Sequence, residues 1–188
     1  MAPVHHSADP WTQVRTAHDL RADEVISALQ KEIRRGHTEN AALLAYEMIL
    51  TSPELEEKLW SRLQVISVED VGLGNVNAPV LIDALYRMHE RIERPAGDRY
   101  MFAVHAVRVL CQSEKERGSD WLLSWMDRAM RDDGKLPEIP DYALDMHTRR
   151  GQEMGRDYSH FVNEASKVEP ELPNWDQTYR NRILAMIK

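Results

Sequence analysis

Residues 23–36 read DEVISALQKEIRRG, and this stretch decides the fold. Val25, Ile26, Leu29 and Ile33 recur at intervals of three and four, the spacing that lines one face of an α-helix. Asp23 is placed to cap the start. Arg34 and Arg35 stand where the helix dipole favours cations, and Gly36 supplies the left-handed residue that closes a helix. A strand would need alternation of period two, and no stretch longer than four residues shows it convincingly.

The same pattern extends outward in both directions. Thr38 opens a second helix with Ala41, Leu44, Ala45, Met48 and Ile49 on one face; the two small alanines let a neighbouring helix approach closely. Ser52 and Pro53 open a third, with Leu55, Leu59, Leu63 and Ile66 in a stripe, stopped by Gly72 and Gly74. Pro79 sits near the start of a fourth (Leu81, Leu85, Met88, Ile92), broken by Pro95 and Gly97. Tyr100, Val104, Val107 and Cys111 mark a fifth. Ser119 caps a sixth, carrying Leu122, Trp125, Met126 and Ala129, and Gly134 and Pro137 end it. Upstream, Asp9-Pro10 reads as an N-cap followed by a short helix to about Leu20. Beyond Leu136 the texture changes: Pro137, Pro140, Pro170 and Pro173 interrupt the chain, leaving short helices over Tyr142–Gly155 and Tyr158–Ser166 and an amphipathic one over Gln177–Ile187. The expected fold is all-α, a bundle or array of about six main helices with an irregular, short-helix C-terminal extension. The expected divisions are a mobile arm over 1–9, a helical core domain over 10–135, and a Pro-interrupted extension over 136–188 packed on that core.

Composition narrows the function. Hydrophobic residues make up 43% of the 188, enough for a core. The single cysteine, Cys111, excludes an internal disulfide and any zinc site built on two thiolates, and suits a reducing, cytoplasmic setting. No apolar run approaches the roughly 18 residues a membrane span needs, and residues 1–10 lack the apolar centre of a signal peptide. The formal charge of −7 repels phosphate backbones, so DNA contact requires a local basic patch.

Catalytic and cofactor motifs are missing. There is no G-x-x-x-x-G-K-[ST] loop, and Gly72-Leu73-Gly74-Asn75 reads as a turn, without the third glycine and preceding strand of a dinucleotide site. The histidines, expected to be partly exposed on helix faces, show no H-E-x-x-H spacing, since Glu93 stands where His89-Glu90 would need the second imidazole. No serine lies in G-x-S-x-G, and Cys111 falls on an apolar face, where a thiol is inert. These patterns point to no metal, no cofactor and no enzyme.

Two segments nevertheless carry charge in unusual places. In Ser67-Val68-Glu69-Asp70-Val71-Gly72 two carboxylates end a helix, where the dipole disfavours anions; either water or a cationic partner must compensate. The basic run His147-Thr148-Arg149-Arg150-Gly151-Gln152-Glu153-Met154-Gly155-Arg156 offers such cations, because guanidinium forks match carboxylates and phosphates. The expectation is an ion pair of Arg149 or Arg150 with Glu69 or Asp70, with Arg156 nearby in sequence.

At these segments the chain resembles a known family. Ile26 to Arg34, ISALQKEIR, is similar to that family's ISALHKSIR. Asn40 to Leu44, NAALL, lies where the family has DAALYW. Arg62 to Leu73, RLQVISVEDVGL, resembles RLVRIASEDVGL and is the most specific match. Met146 to Gly155 is similar more loosely to its basic HLRNAP…MG region. The family is that of the replication-associated recombination protein A and Werner-helicase-interacting AAA+ ATPases, and the likeness runs from about residue 20 to 160. It implies the helical oligomerisation domain that follows the ATPase module in enzymes that are tetrameric and bind DNA ends or forks. The chain carries no Walker A lysine, Walker B acids or arginine-finger domain, so ATP hydrolysis does not transfer, and Gln30 replaces the family's histidine.

The resulting expectation is a non-catalytic interaction and oligomerisation protein, a stand-alone counterpart of that domain. It forms a dimer or tetramer, meets an AAA+ ATPase or other replication proteins, and has no membrane partner. Leu43, Leu44, Trp60 and Trp125 are its possible anchors, although their helical spacing places them in the core. The alternatives are a DNA-binding accessory protein using Arg34, Arg35, Arg149, Arg150 and Arg156, and an enzyme built on Glu69, Asp70 and His147.

Overall fold

The computed structural model describes residues 9–187, and every described element is helical. The chain divides into two compact units, one ending at Ala129 and one beginning at Met130.

The first unit contains α1 (Ala22–Arg35), α2 (Thr38–Thr51), α3 (Pro53–Ile66), α4 (Ala78–His89), α5 (Gly97–Gln112) and most of α6 (Gly118–Arg131). The local reasons match the sequence grammar at Gly36 and Ser52-Pro53, but Asp23 lies inside the first turn of α1 and Ser119 inside α6, so neither is the cap expected of it. Gly36 closes α1 at φ 76°, its amide and that of His37 turned back to the last carbonyls. Ser52 Oγ accepts from the Leu55 amide and Pro53 opens α3. The core is continuous. Leu29 and Ile33 of α1, Met48 of α2, Leu59, Trp60 and Leu63 of α3, Ile82 of α4, and Val107 and Leu110 of α5 are buried in it. Ala41, Ala45, Ala103 and Ala106 are fully buried where α2 packs on its neighbours, which is where small residues admit close approach.

Three further expectations are corrected. The short N-terminal helix is a single 3₁₀ turn, Pro10–Gln13, capped by Asp9, because the chain then pairs Arg15 with Arg21 across a bend at Asp19 (φ 60°). His89 is fully buried, not partly exposed. The apolar stripe of α6 does not enter the core: only Ala129 is buried, while Trp121 and Leu123 are each 64% exposed, Leu122 54% and Met126 39%.

The second unit is built from short pieces: a 3₁₀ turn Asp141–Ala143, α7 (Arg149–Glu153), α8 (Tyr158–His160) continuing into a wide turn Phe161–Ala165, and α9 (Thr178–Met186). Thr148 caps α7 through the Gly151 amide. A Cβ on Gly151 would lie 1.9 Å from the Asp145 carbonyl oxygen, so no other residue fits there. Phe161 packs edge-on against His147 at 5.1 Å.

Candidate functional site

The most specific sequence segment, 67–75, lies at the end of α3. There the helix widens into a π turn, Ser67–Val71, in which the Gly72 amide reaches back to the Ser67 carbonyl. Gly72 has φ 50°, a conformation that side-chain-bearing residues rarely adopt, and a 3₁₀ turn Gly72–Asn75 follows. π turns of this kind recur at functional positions.

The two carboxylates of this turn are drawn inward. The Asp70 side chain is wholly buried and that of Glu69 is 24% exposed. An unpaired buried carboxylate costs several kcal/mol, and three arginines remove that penalty. Arg34 of α1 donates from Nε to Asp70 and from Nη2 to Glu69 Oε1 at 3.3 Å. Arg62 of α3 stands 3.7 Å from Glu69 Oε2. Arg117, just before α6, places Nη2 3.5 Å from Glu69 Oε1 and Nε 3.2 Å from Asp70 Oδ1. That second contact is electrostatic, its N–H lying off the line a hydrogen bond requires. Gln30, one turn before Arg34 on the same face of α1, completes the set. Its Nε2 donates to Glu69 Oε1 at 2.8 Å and to Asp70 Oδ2 at 2.9 Å, and its Oε1 accepts from Arg62. A neutral histidine, the residue the resembled family carries there, has one donor and one acceptor; the amide adds a second donor and bridges both carboxylates.

The turn also receives the segment that joins α5 to α6. The Glu116 amide donates to the carbonyls of Asp70 at 3.1 Å and Val71 at 3.2 Å, groups that a helix end leaves without an internal partner. The Glu116 carboxylate accepts from the Leu73 amide at 3.3 Å and the Gly118 amide at 2.5 Å. Asn75 Nδ2 donates to Ser113 Oγ at 3.0 Å. The approach is close enough to require both glycines: a Cβ on Gly72 would lie 2.4 Å from the Glu116 carbonyl oxygen, and one on Gly74 2.6 Å from that of Glu114.

A second cluster lies inside the bundle. Glu56 of α3 is buried and accepts from His89 Nε2 at 2.9 Å and Arg99 Nε at 3.0 Å on one oxygen, and from Arg94 Nη1 at 2.5 Å on the other. The carboxylate can only accept, so His89 carries its proton on Nε2. Arg94 also donates to the Ile49 carbonyl, and Arg99 to those of His89 and Ile92. The His89 ring lies against Trp60 at 4.9 Å. Burial pushes the Glu56 carboxyl up, but the hydrogen bonds from His89, Arg99 and Arg94 outweigh it and hold the pKa below its ordinary value.

A cationic partner for Glu69 and Asp70 is therefore present, but it is Arg34, Arg62 and Arg117 in place of Arg149 or Arg150. Arg149 pairs with Glu153 one turn along α7 at 2.8 Å. Arg150 is exposed on α7. Arg156 donates to the Leu144 carbonyl at 2.7 Å and to Asp141 Oδ2 at 2.5 Å, fastening the second unit internally. Arg34, a possible DNA contact in the sequence, is engaged by the carboxylates, and Arg35 donates to the Lys31 carbonyl. His147 bonds Asp145. Of the possible anchors, Trp60 is buried and Leu44 partly so, whereas Leu43 and Trp125 are 63% and 52% exposed. For Trp125 this corrects the core placement; periodicity reveals an apolar face and not what covers it.

Sequence reasoning missed Gln30, Arg62 and Arg117, and the whole of the Glu56 cluster. One signal was available: Glu56 stands four residues before Trp60 and seven before Leu63, a carboxylate on the apolar stripe of α3.

The lone pairs of Glu69 and Asp70 face arginine and amide donors, which suits them to holding chain segments together. Among the described residues no helix is long and apolar enough to cross a membrane. No protein-family model matches the chain. Over 146 residues, 74% of its length, the chain is 35% identical to the replication-associated recombination protein A of Bacillus subtilis (strain 168), and it spans 33% of that protein.

Proposed function

For a chain related in this way to one third of a replication-associated recombination protein, we propose a non-catalytic assembly role in which α6 docks against α6 of a second copy. The observation that carries the proposal is the exposed face of α6. Trp121, Leu122, Leu123 and Met126 form a broad apolar surface on a 14-residue helix that buries only Ala129. A contiguous apolar surface on an exposed helix marks an interaction site, and tryptophan and methionine are the residue types enriched at the centres of interfaces.

A second copy fits this face because an antiparallel pair is self-complementary. It also opposes the two helix dipoles. The name of the relative, replication-associated recombination protein A, supports reading such an assembly as one that accompanies replication and recombination.

The test is mixing. Two differently tagged forms of the protein, incubated together, co-purify in a tag-dependent way if copies associate. The double variant Leu122→Asp, Met126→Asp abolishes co-purification while the helical circular dichroism of the bundle persists. Native forms that never exchange tags overturn the proposal.

A further inference from the structure

We infer that the 69–74 turn is a mount for α6: Glu69, Asp70, Gly72 and Gly74 hold the 113–117 segment, and through Arg117 they set the direction in which α6 presents its apolar face. What that face meets rests on the assembly reading above; the mount is a property of a single chain.

Helix α6 is fastened differently from the rest of the bundle. Helices α1 to α5 share a continuous core, whereas α6 buries only Ala129. Its N-terminal end is the part fastened to the turn. There the Glu116 amide is bonded to the free carbonyls of the turn, and the Glu116 carboxylate collects the amides of Leu73, on the turn, and Gly118, at the start of α6.

One side chain reaches both the turn and α6. The Arg117 guanidinium contacts Glu69 and Asp70 on the turn, Asp120 Oδ2 at 2.6 Å in the first turn of α6, and lies 5.1 Å from the centre of the Trp121 ring. A planar fork can serve these directions together; an ammonium cannot. The fit is also steric. Any side chain at Gly72 or Gly74 would meet the backbone of residues 114–116 at 2.4–2.6 Å. The glycines of the EDVGLG segment are thus explained by the strand of chain they admit. Arg117 is a positioning residue, acting on the interaction face through α6.

The experiment compares amide hydrogen exchange of the native protein with Arg117→Ala, Arg117→Lys and Asp120→Ala, alongside self-association of each. Arg117→Ala accelerates exchange across residues 118–126 by about tenfold or more, with α3 changed by less than about twofold, because the opening is local. Self-association weakens by a similar factor. Arg117→Lys falls between native and alanine. Asp120→Ala, which leaves the contacts to Glu69 and Asp70 intact, gives a smaller acceleration confined to the same residues. Unchanged exchange over 118–126 in Arg117→Ala overturns the mount. If that variant loosens α3 as well, Asp120→Ala decides, and no local acceleration there overturns it. A native protein that shows the exchange changes but never associates defeats the assembly reading and leaves the mount standing. One that associates without the exchange changes does the reverse.

Discussion

The molecule contains two carboxylate–arginine clusters built from the same chemistry and set to different work. In the Glu56 cluster one carboxylate is enclosed by His89, Arg94 and Arg99, and all four belong to or flank the bundle helices α3, α4 and α5. In the Glu69–Asp70 cluster the carboxylates sit at a helix end, are partly open to water through Glu69, and reach out through Arg117 to a helix the core does not hold. The first ties packed elements to one another. The second ties a packed element to an exposed one. What separates them is the burial of what lies beyond the arginines.

The largest effect that could break this comparison is at Glu56. Glu56→Ala leaves two arginines facing a buried cavity and costs about 3–5 kcal/mol of stability, the range for stripping one partner from a buried pair. Chemical denaturation monitored by far-ultraviolet circular dichroism measures it. Asp70→Asn keeps the shape of the buried side chain but removes its charge from Arg34 and Arg117, and costs less, roughly 1–3 kcal/mol. A Glu56→Ala loss no larger than that of Asp70→Asn would erase the distinction between the clusters.

Acid sharpens it further. The Glu56 carboxyl is held below its ordinary value of 4.5 in the folded protein. A group with a depressed folded pKa contributes stability that is complete above the unfolded value and is lost as pH falls through the folded one. Stability therefore declines below pH 4.5, and the Glu56→Gln variant, which cannot titrate there, shows a shallower decline in denaturation midpoint over that window. Equal slopes for native and variant would remove Glu56 from the account. The smallest effect lies in the second unit. Arg149 is 92% exposed and pairs along its own helix with Glu153; exposed pairs of this kind contribute little. Arg149→Ala, Arg150→Ala leaves the melting temperature unchanged, whereas an ion pair to the 69–70 turn would have lowered it.

These outcomes trace what the sequence could and could not reveal. Helices α1, α2, α3 and α5 were legible because apolar spacing and end signals agreed: Gly36, Ser52-Pro53 and the Gly72–Gly74 stop each perform the backbone role their chemistry predicts. For α4 the expected stripe Leu81, Leu85, Met88 and Ile92 is not the buried face: Ala78, Ile82 and His89 are buried, Leu81 and Met88 are exposed, and the helix ends before Ile92. The need for some compensation at Glu69 and Asp70, by water or by a cation, was legible from the helix dipole alone. The identity of the cations was not, because Arg34 and Arg117 lie 35 and 48 residues from Glu69 in sequence and no spacing rule connects them to it. The nearest-looking basic cluster, 147–156, proved to be occupied with its own unit. The covering of α6 was equally hidden. An amphipathic period is identical whether the apolar side faces a core or another molecule, so Trp125 reads as a core residue although the structure leaves it 52% exposed.

The central claim is that α6 is held out by the 69–74 turn to pair with a second copy. Sedimentation velocity of the native chain and of Trp121→Asp, Leu122→Asp tests it most directly. The account predicts a native species heavier than the 21.8 kDa of one chain that grows with concentration, and a variant that remains at 21.8 kDa with its bundle folded. A native protein that sediments as a single chain at every concentration would contradict it.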